Sequence, residues 1–284
     1  MDVFRRAGLQ ALDAQAEWWQ LYVEFTDWDA AERVVGDCLA PVLTRPGGDG
    51  DIAWWFIRKH PCWRLRLRTR EHAVKNTVRA VLDDLVAEGR IRRWWTGVYE
   101  PEDAAFGGAV GMETAHRLFH ADSRAILETN GQGNGVLGRR EMSVLLCVAL
   151  MRAAGLEWYE QGDVWDLVRR ERILPTDVPE KRLRAMVGDL RTLLLADVDP
   201  SGSLFGPGGA AEFAASWVEA FRDAGLVLGT AAYEGRLERG LRRVLAYHVI
   251  FHWNRTGIPA RTQAALAWAA STAVLDAPGG EIMP

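Results

Sequence analysis

Between Cys62 and Arg68 the chain reads Cys-Trp-Arg-Leu-Arg-Leu-Arg, with arginine at 64, 66 and 68 and leucine between them. A period of two belongs to a β-strand, whose successive side chains point to opposite faces. All three guanidiniums therefore share one face and both leucines the other. The flanking sequence supplies partners for such a strand. Residues 18–25, Trp-Trp-Gln-Leu-Tyr-Val-Glu-Phe, and Ile91–Tyr99 are rich in aromatic and β-branched residues and read as strands. So does Ile52–Arg58, which the break at His60-Pro61 joins to Cys62–Arg68 as a hairpin. Helical spacing covers 28–43 (Ala30, Val34, Val35, Cys38, Leu39) and 71–88 (Val74, Val78, Val81, Leu82, Leu85), with a Pro-Gly-Gly-Asp-Gly turn at 46–50. Strand, helix, strand, strand, helix, strand is the order of a ferredoxin-like split βαβ sheet.

After Gly107-Gly108 the pattern becomes helical. Spans 111–128, 139–155, 158–172, 178–196, 210–226, 234–254 and 259–275 read as helices, several with Gly or Pro stops. The stretch 199–209 is the clearest loop and a candidate mobile segment, and Ala277–Pro284 reads as a tail. The predicted fold class is α+β: a sheet portion at 1–105 carrying the arginine ridge and a helical portion at 106–284, the two forming one integrated catalytic domain.

Charge excludes some function classes. A net charge of −4 gives no global reason to expect nucleic-acid or membrane binding. Three widely spaced cysteines without a CxxC pair argue against a disulfide framework or zinc knuckle. The first residues lack a signal-peptide core, and no run reaches membrane-span length, so a cytoplasmic protein is expected. The 13 tryptophans include the pairs 18–19, 54–55 and 94–95, which suggests sheet faces and an aromatic groove for a peptide.

Several constellations could carry chemistry. The ridge of Arg64, Arg66 and Arg68 suits carboxylates or a polar peptide backbone, against the plainer reading of a solvated strand face. Glu100 and Glu102 flank Pro101 where the chain leaves the sheet. Glu100 reads as loop entry and Glu102 as a site-organising carboxylate. His116 and His120 share a helical face at i, i+4, but without HExxH or a third ligand they read as groove-lining rather than metal-binding. Tyr159 is a candidate proton donor, weighed against a packing corner. The segment His248-Val-Ile-Phe-His252-Trp-Asn-Arg255 sets four polar side chains in an apolar run. They need partners or a substrate, because burying them unpaired is costly. His248 and His252 share a face with Arg255 close to it, and a histidine beside an arginine tends to stay neutral and able to move a proton near pH 7. Gly131–Gly135 lacks the GK[ST] ending of a phosphate loop and reads as a linker.

Taken in order, Trp54-Trp-Phe-Ile-Arg-Lys-His-Pro-Cys-Trp-Arg-Leu-Arg-Leu-Arg68, Tyr99-Glu-Pro-Glu-x-x-x-Phe-Gly-Gly108, Phe119-His-Ala-Asp-Ser123 and Phe251-His-Trp-Asn-Arg255 resemble the C-terminal domain of class I lantibiotic dehydratases. That domain also occurs as stand-alone thiopeptide-type bacteriocin biosynthesis proteins. The resemblance spans nearly the whole chain. It implies maturation of a ribosomally made peptide by one of two reactions. The fused form eliminates glutamate from glutamylated Ser or Thr. The stand-alone pyridine synthases join two dehydroalanines by a formal [4+2] aza-cycloaddition, after which water and the leader peptide leave. The chain carries no glutamylation domain, and its Glu102-Asp-Ala-Ala105-Phe-Gly-Gly lacks the arginine of the family's Glu-x-x-Arg-Tyr-Gly-Gly. That absence favours cycloaddition.

The roles implied are Arg66 and Arg68 anchoring the peptide, His252 and Tyr159 transferring protons, and Asn254 and Arg255 orienting them. Arg64, Glu102, His116, His120, His248 and Trp54 line the substrate site. No cofactor or metal is implied. The implied partner is a precursor peptide with its leader and dehydroalanine-containing core. A separate glutamylating dehydratase subunit and a second copy of the chain stay open. A reading from another class is a non-catalytic partner that takes up the leader on a sheet edge.

Overall fold

The computed structural model describes residues 18–44, 52–129 and 137–276. The turn expected at 46–50, the linker at Gly131–Gly135 and the tail at 277–284 lie outside them. The chain divides into two compact units: a sheet unit of 1–102 with 119–132, and a helical unit of 103–118 with 133–284.

The sheet unit holds β1 (Trp18–Phe25), β2 (Ala53–Lys59), β3 (Cys62–Arg68) and β4 (Ile91–Gly97). They form one antiparallel sheet in the order β2-β3-β1-β4, the ferredoxin-like order that the alternation predicts. Helix α1 runs as Ala31–Val34, a π-helical turn at Val35–Leu39 and Ala40–Leu43; α2 is His72–Ala87. Register sorts the two faces. Arg64, Arg66 and Arg68 lie opposite Tyr22, Gln20 and Trp18 on β1, and opposite Ile57, Trp55 and Ala53 on β2. Leu65 and Leu67 lie opposite Leu21 and Trp19, and Phe56 and Trp54. The leucine face is core: Leu21, Phe56, Leu65 and Leu67 are buried, as are Val78, Leu82 and Leu85 of α2. Burying such side chains supplies about 1.5–3 kcal/mol each.

The short helix α3 (Asp103–Phe106) lies where a turn is expected, and α4 (Ala109–Glu128) follows it. The first half of α4, to Leu118, belongs to the helical unit and the second half to the sheet unit. In the sheet unit α4 covers the outer edge of β2. Ser123 Oγ accepts from the backbone N–H of Phe56 at 3.2 Å, and His120 Nδ1 lies 3.1 Å from Trp54 N and 2.8 Å from Trp54 O. A sheet edge satisfied by side chains in this way is closed to further strand pairing.

The helical unit continues with α5 (Arg139–Ala153), α6 (Trp158–Glu171), α7 (Glu180–Leu195), α8 (Ala215–Tyr233), α9 (Leu241–Thr256) and α10 (Ala260–Leu275). Helix α5 is buried without interruption from Met142 to Met151, as expected of a helix apolar all round. It packs against α7, α8 and α9, while α6 packs against α9 and α10. Two boundaries differ from the sequence reading. The spans 210–226 and 234–254 become Ala215–Tyr233 and Leu241–Thr256, because the break falls at Gly235, whose φ of +68° ends α8, and resumes after Gly240. The 199–209 loop is anchored: Phe205 is fully buried, and Asp199 accepts from Ser201 Oγ at 2.6 Å and from Arg222 at 2.7 Å. No described helix is long and apolar enough to cross a membrane.

Candidate functional site

In the sheet unit, the arginine face is graded from one end of β3 to the other. Arg64 is half-buried with its guanidinium 5.4 Å from the centre of the Tyr22 ring, Arg68 is exposed, and Arg66 between them is only 7% exposed. The Arg66 guanidinium is held between two rings, 4.1 Å from Trp55 and 4.7 Å from Tyr99. Trp55 and Tyr99 meet edge to face at 5.8 Å, and Tyr99 meets Trp18 at 5.7 Å. Cations lie favourably over such ring faces. Arg66 Nε donates to Gln20 Oε1 at 2.8 Å, whereas Nη1 is buried with no hydrogen-bond partner among the described residues. Burial pulls the guanidinium down to about 10; Tyr99 opposes that shift, Arg64 adds to it, and Glu102 and Tyr22 oppose it. A buried cation with an unused donor is costly without a ligand and well prepared for one.

Trp54 and Trp55 separate across the sheet. Trp54 pairs with Leu67 on the leucine face, its ring edge-on to His120 at 5.9 Å. Trp55 pairs with Arg66 on the arginine face, beside Phe119 at 4.8 Å. Of the residues around Arg66, the sequence names Trp55 only within a tryptophan pair and Tyr99 only within a motif, and it does not single out Gln20; the period of two from Arg66 reaches Trp55 once the hairpin register is counted. Glu102 is exposed and acts on Arg66 through its charge.

In the helical unit, α9 carries His248, His252 and Arg255 at i, i+4 and i+7, one stripe at 3.6 residues per turn, and all three are buried. The His248 ring meets Phe106 at 5.0 Å, and His252 meets Phe221 at 5.0 Å and Trp217 at 6.1 Å. Phe106 is brought there by α3, whose exit turn needs Gly107 and Gly108 at φ of +84° and +88°. Gly107 O accepts from the backbone N–H of Glu238 at 3.0 Å, and a Cβ on Gly108 would fall 2.5 Å from the Glu238 side chain. Burial pushes the Asp103 carboxyl up, and the neighbouring Glu238 charge adds to the shift. Asn254 stands on another side of α9. Its Oδ1 accepts from Gln263 Nε2 at 3.1 Å, and Gln263 Oε1 accepts from Arg172 at 2.6 Å. His116 is buried on α4 and belongs to this unit, whereas His120 belongs to the sheet unit. Tyr159 is 67% exposed in the first turn of α6. Near it, a cavity of about 550 Å³ is lined by Glu160, Asp163, Asp166, Arg170, Arg242 and Arg243 among others. Two ion pairs lie in its wall, Arg242 with Asp163 and Arg170 with Asp166.

Known proteins share this architecture. The tRNA-dependent lantibiotic dehydratase MibB from Microbispora sp. 107891 matches with a TM-score of 0.66 at 22% identity, over 93% of this chain and 28% of that one. The pyridine synthase TbtD from thiomuracin biosynthesis gives 0.64 at 15% identity, over 92% of this chain and 98% of that one. TsrL gives 0.62 at 19% identity, over 90% and 94%. The chain thus spans 28% of the length of MibB and nearly all of TbtD and TsrL. At these identities the likeness is one of fold. No curated protein matches in sequence. The model of the lantibiotic biosynthesis dehydratase C-terminal family matches residues 18–274. The chain therefore belongs to that family, one of the maturation of ribosomally made peptides.

Proposed function

We propose that the chain is a peptide-modifying enzyme that joins two dehydroalanines of a precursor peptide by a formal [4+2] aza-cycloaddition. Loss of water and release of the leader then give the pyridine core of a thiopeptide. The observation that carries this reading is the single buried guanidinium of the arginine ridge. Elimination of glutamate needs cations for the carboxylates of the leaving group. Within the ridge, Arg64 lies over Tyr22 and Arg68 is exposed, and Arg66 is the member whose buried Nη1 has no hydrogen-bond partner among the described residues. One directed donor between aromatic rings suits an amide oxygen of a peptide held in near-attack geometry. Cycloaddition asks for that orientation, together with a group that moves a proton to favour the imidic-acid tautomer of one amide.

In this reading Arg66 orients the peptide, and Arg64 and Arg68 extend the cationic face toward its flanks. His252 moves the proton, with His248 and Arg255 on the same helical stripe. Tyr159, largely exposed, is the weaker proton-transfer candidate. The partner is the precursor peptide, its leader included.

One observation favours glutamate elimination as the second reading. Arg239 Nη1 donates to Ala104 O at 3.5 Å, with its guanidinium 4.8 Å from the Tyr247 ring centre. A cation thus stands next to the position where Ala105 replaces an arginine of the elimination pattern. Mass spectrometry separates the two reactions. The full chain is incubated with a precursor bearing two dehydroalanines, and separately with a glutamyl-Ser peptide. Leader release from the first is expected; glutamate release from the second, with the first unchanged, overturns the proposal.

A further inference from the structure

Arg66 owes its orientation to one neutral side chain. Gln20, the third residue of β1, is 3% exposed and directly opposite Arg66, and its amide reaches from β3 to the end of β4. Oε1 accepts from Arg66 Nε at 2.8 Å, and Nε2 donates to Val98 O at 2.9 Å and to Tyr22 Oη at 3.1 Å. Only one orientation of this amide works, because guanidinium offers donors only and a carbonyl accepts only. The room for it comes from Gly97, opposite Gln20 on β4. A Cβ there would run into the Tyr22 ring and fall 3.4 Å from Gln20 Nε2. A glutamate in place of Gln20 would hold Arg66 equally well, but it would neutralise the cation and leave less charge for a ligand.

We infer that Gln20 is a positioning residue that fixes Arg66 for the substrate while adding no opposing charge of its own. Braced by Val98 O and Tyr22 Oη, it sets both the direction and the sign of the anchor. The inference rests on the peptide-anchoring role proposed above for Arg66, and not on which of the two reactions follows.

The test compares Gln20→Glu, Gln20→Met and Gly97→Ala in the full chain. It measures kcat and KM on whichever peptide the wild type converts, alongside thermal melting and precursor affinity by calorimetry. Gln20→Met keeps the volume and leaves Arg66 charged but unheld; kcat/KM falls about tenfold, as for one lost bond to a charged group. Gln20→Glu falls further, mostly in KM, and the loss shrinks as pH is lowered and the introduced carboxylate takes up a proton. Gly97→Ala moves only the Tyr22 brace and costs about threefold, so it answers the question if the Gln20 variants fail to fold. Losses that merely follow the folded fraction, or Gln20→Glu with wild-type KM at every pH, overturn the inference. If the wild type eliminates glutamate instead, the proposed reaction falls while the same ranking still reads on Gln20. Should the precursor neither react nor bind, both fall.

Discussion

Arg66 in the sheet unit and His252 in the helical unit are both shut away from solvent, yet their surroundings differ. Arg66 is gripped by a hydrogen bond from one side of its guanidinium and by two aromatic faces, with Nη1 unused. The His252 ring is set edge-on among Phe221 and Trp217 on a helix buried along most of its length. The difference teaches where each kind of work belongs. A sheet face can hold a fixed, directed charge, and a buried helix stripe can hold a ring packed among aromatic edges, the two properties on which the proposed roles of orienting a substrate and moving a proton rest.

The proposed division of labour can be broken, beginning with the largest effect. Arg66→Met is expected to lower kcat/KM about a thousandfold, the scale for removing one member of a buried charged contact. Its thermal midpoint should stay within a few degrees of wild type, since a buried cation is exchanged for an apolar chain of similar length. Steady-state assays and a melting curve on the same preparation check both halves. Full activity in this variant would remove the anchor. His252→Phe fills the space among Phe221 and Trp217 and should fold, but conversion drops about a hundredfold, with kcat carrying most of the loss. A KM effect alone would make His252 a binding residue rather than a proton carrier.

How much of this could be read in the sequence depends on the periodicity of each element. On β3 the alternation alone sorted Arg64, Arg66 and Arg68 from the leucines, and the paired strands keep that sorting. The same rule separates Trp54 from Trp55, yet it acts through hairpin register, which a strand read singly does not give. On α9 the helical repeat already groups His248, His252 and Arg255 in the sequence, and what the sequence does not give is the partner of Asn254, which stands on another side of the helix, tied to Gln263. Gln20 is not marked by the sequence because a lone polar residue in a strand carries no pattern, and Tyr99 stands there only as the start of a motif; pairing across β1 and the chain after β4 reveals what they touch. Phe106 was hidden by a turn signal: the two glycines that follow it mark an exit from a helix of four residues, too short to show a period.

Asn254→Ala sharpens the same contrast at lower amplitude. It removes one acceptor from Gln263 and should cost about 1 kcal/mol of stability, with kcat/KM changed less than about twofold. Denaturant unfolding and the conversion assay together test it, and a large catalytic loss would return Asn254 to the histidine stripe. The smallest effect is on acid stability. Burial works against ionisation of Asp166, but hydrogen bonds and charges from Arg169 and Arg170 outweigh it and hold the carboxyl below its ordinary value. Because the folded value is depressed, that contribution is present above the ordinary carboxylate range and fades as pH falls through the folded value. Melting curves of Asp166→Asn against pH should therefore show a flatter acid limb than wild type; identical limbs would remove the pair from the account.

The most direct measurement follows leader peptide by mass spectrometry as the full chain acts on a precursor with two dehydroalanines. Wild type and Arg66→Met run side by side, and free glutamate from a glutamyl-Ser peptide is measured in parallel. Leader release by the wild type, its near loss in Arg66→Met, and no glutamate from either is the predicted result. Glutamate without leader release, or equal leader release by both proteins, would contradict it.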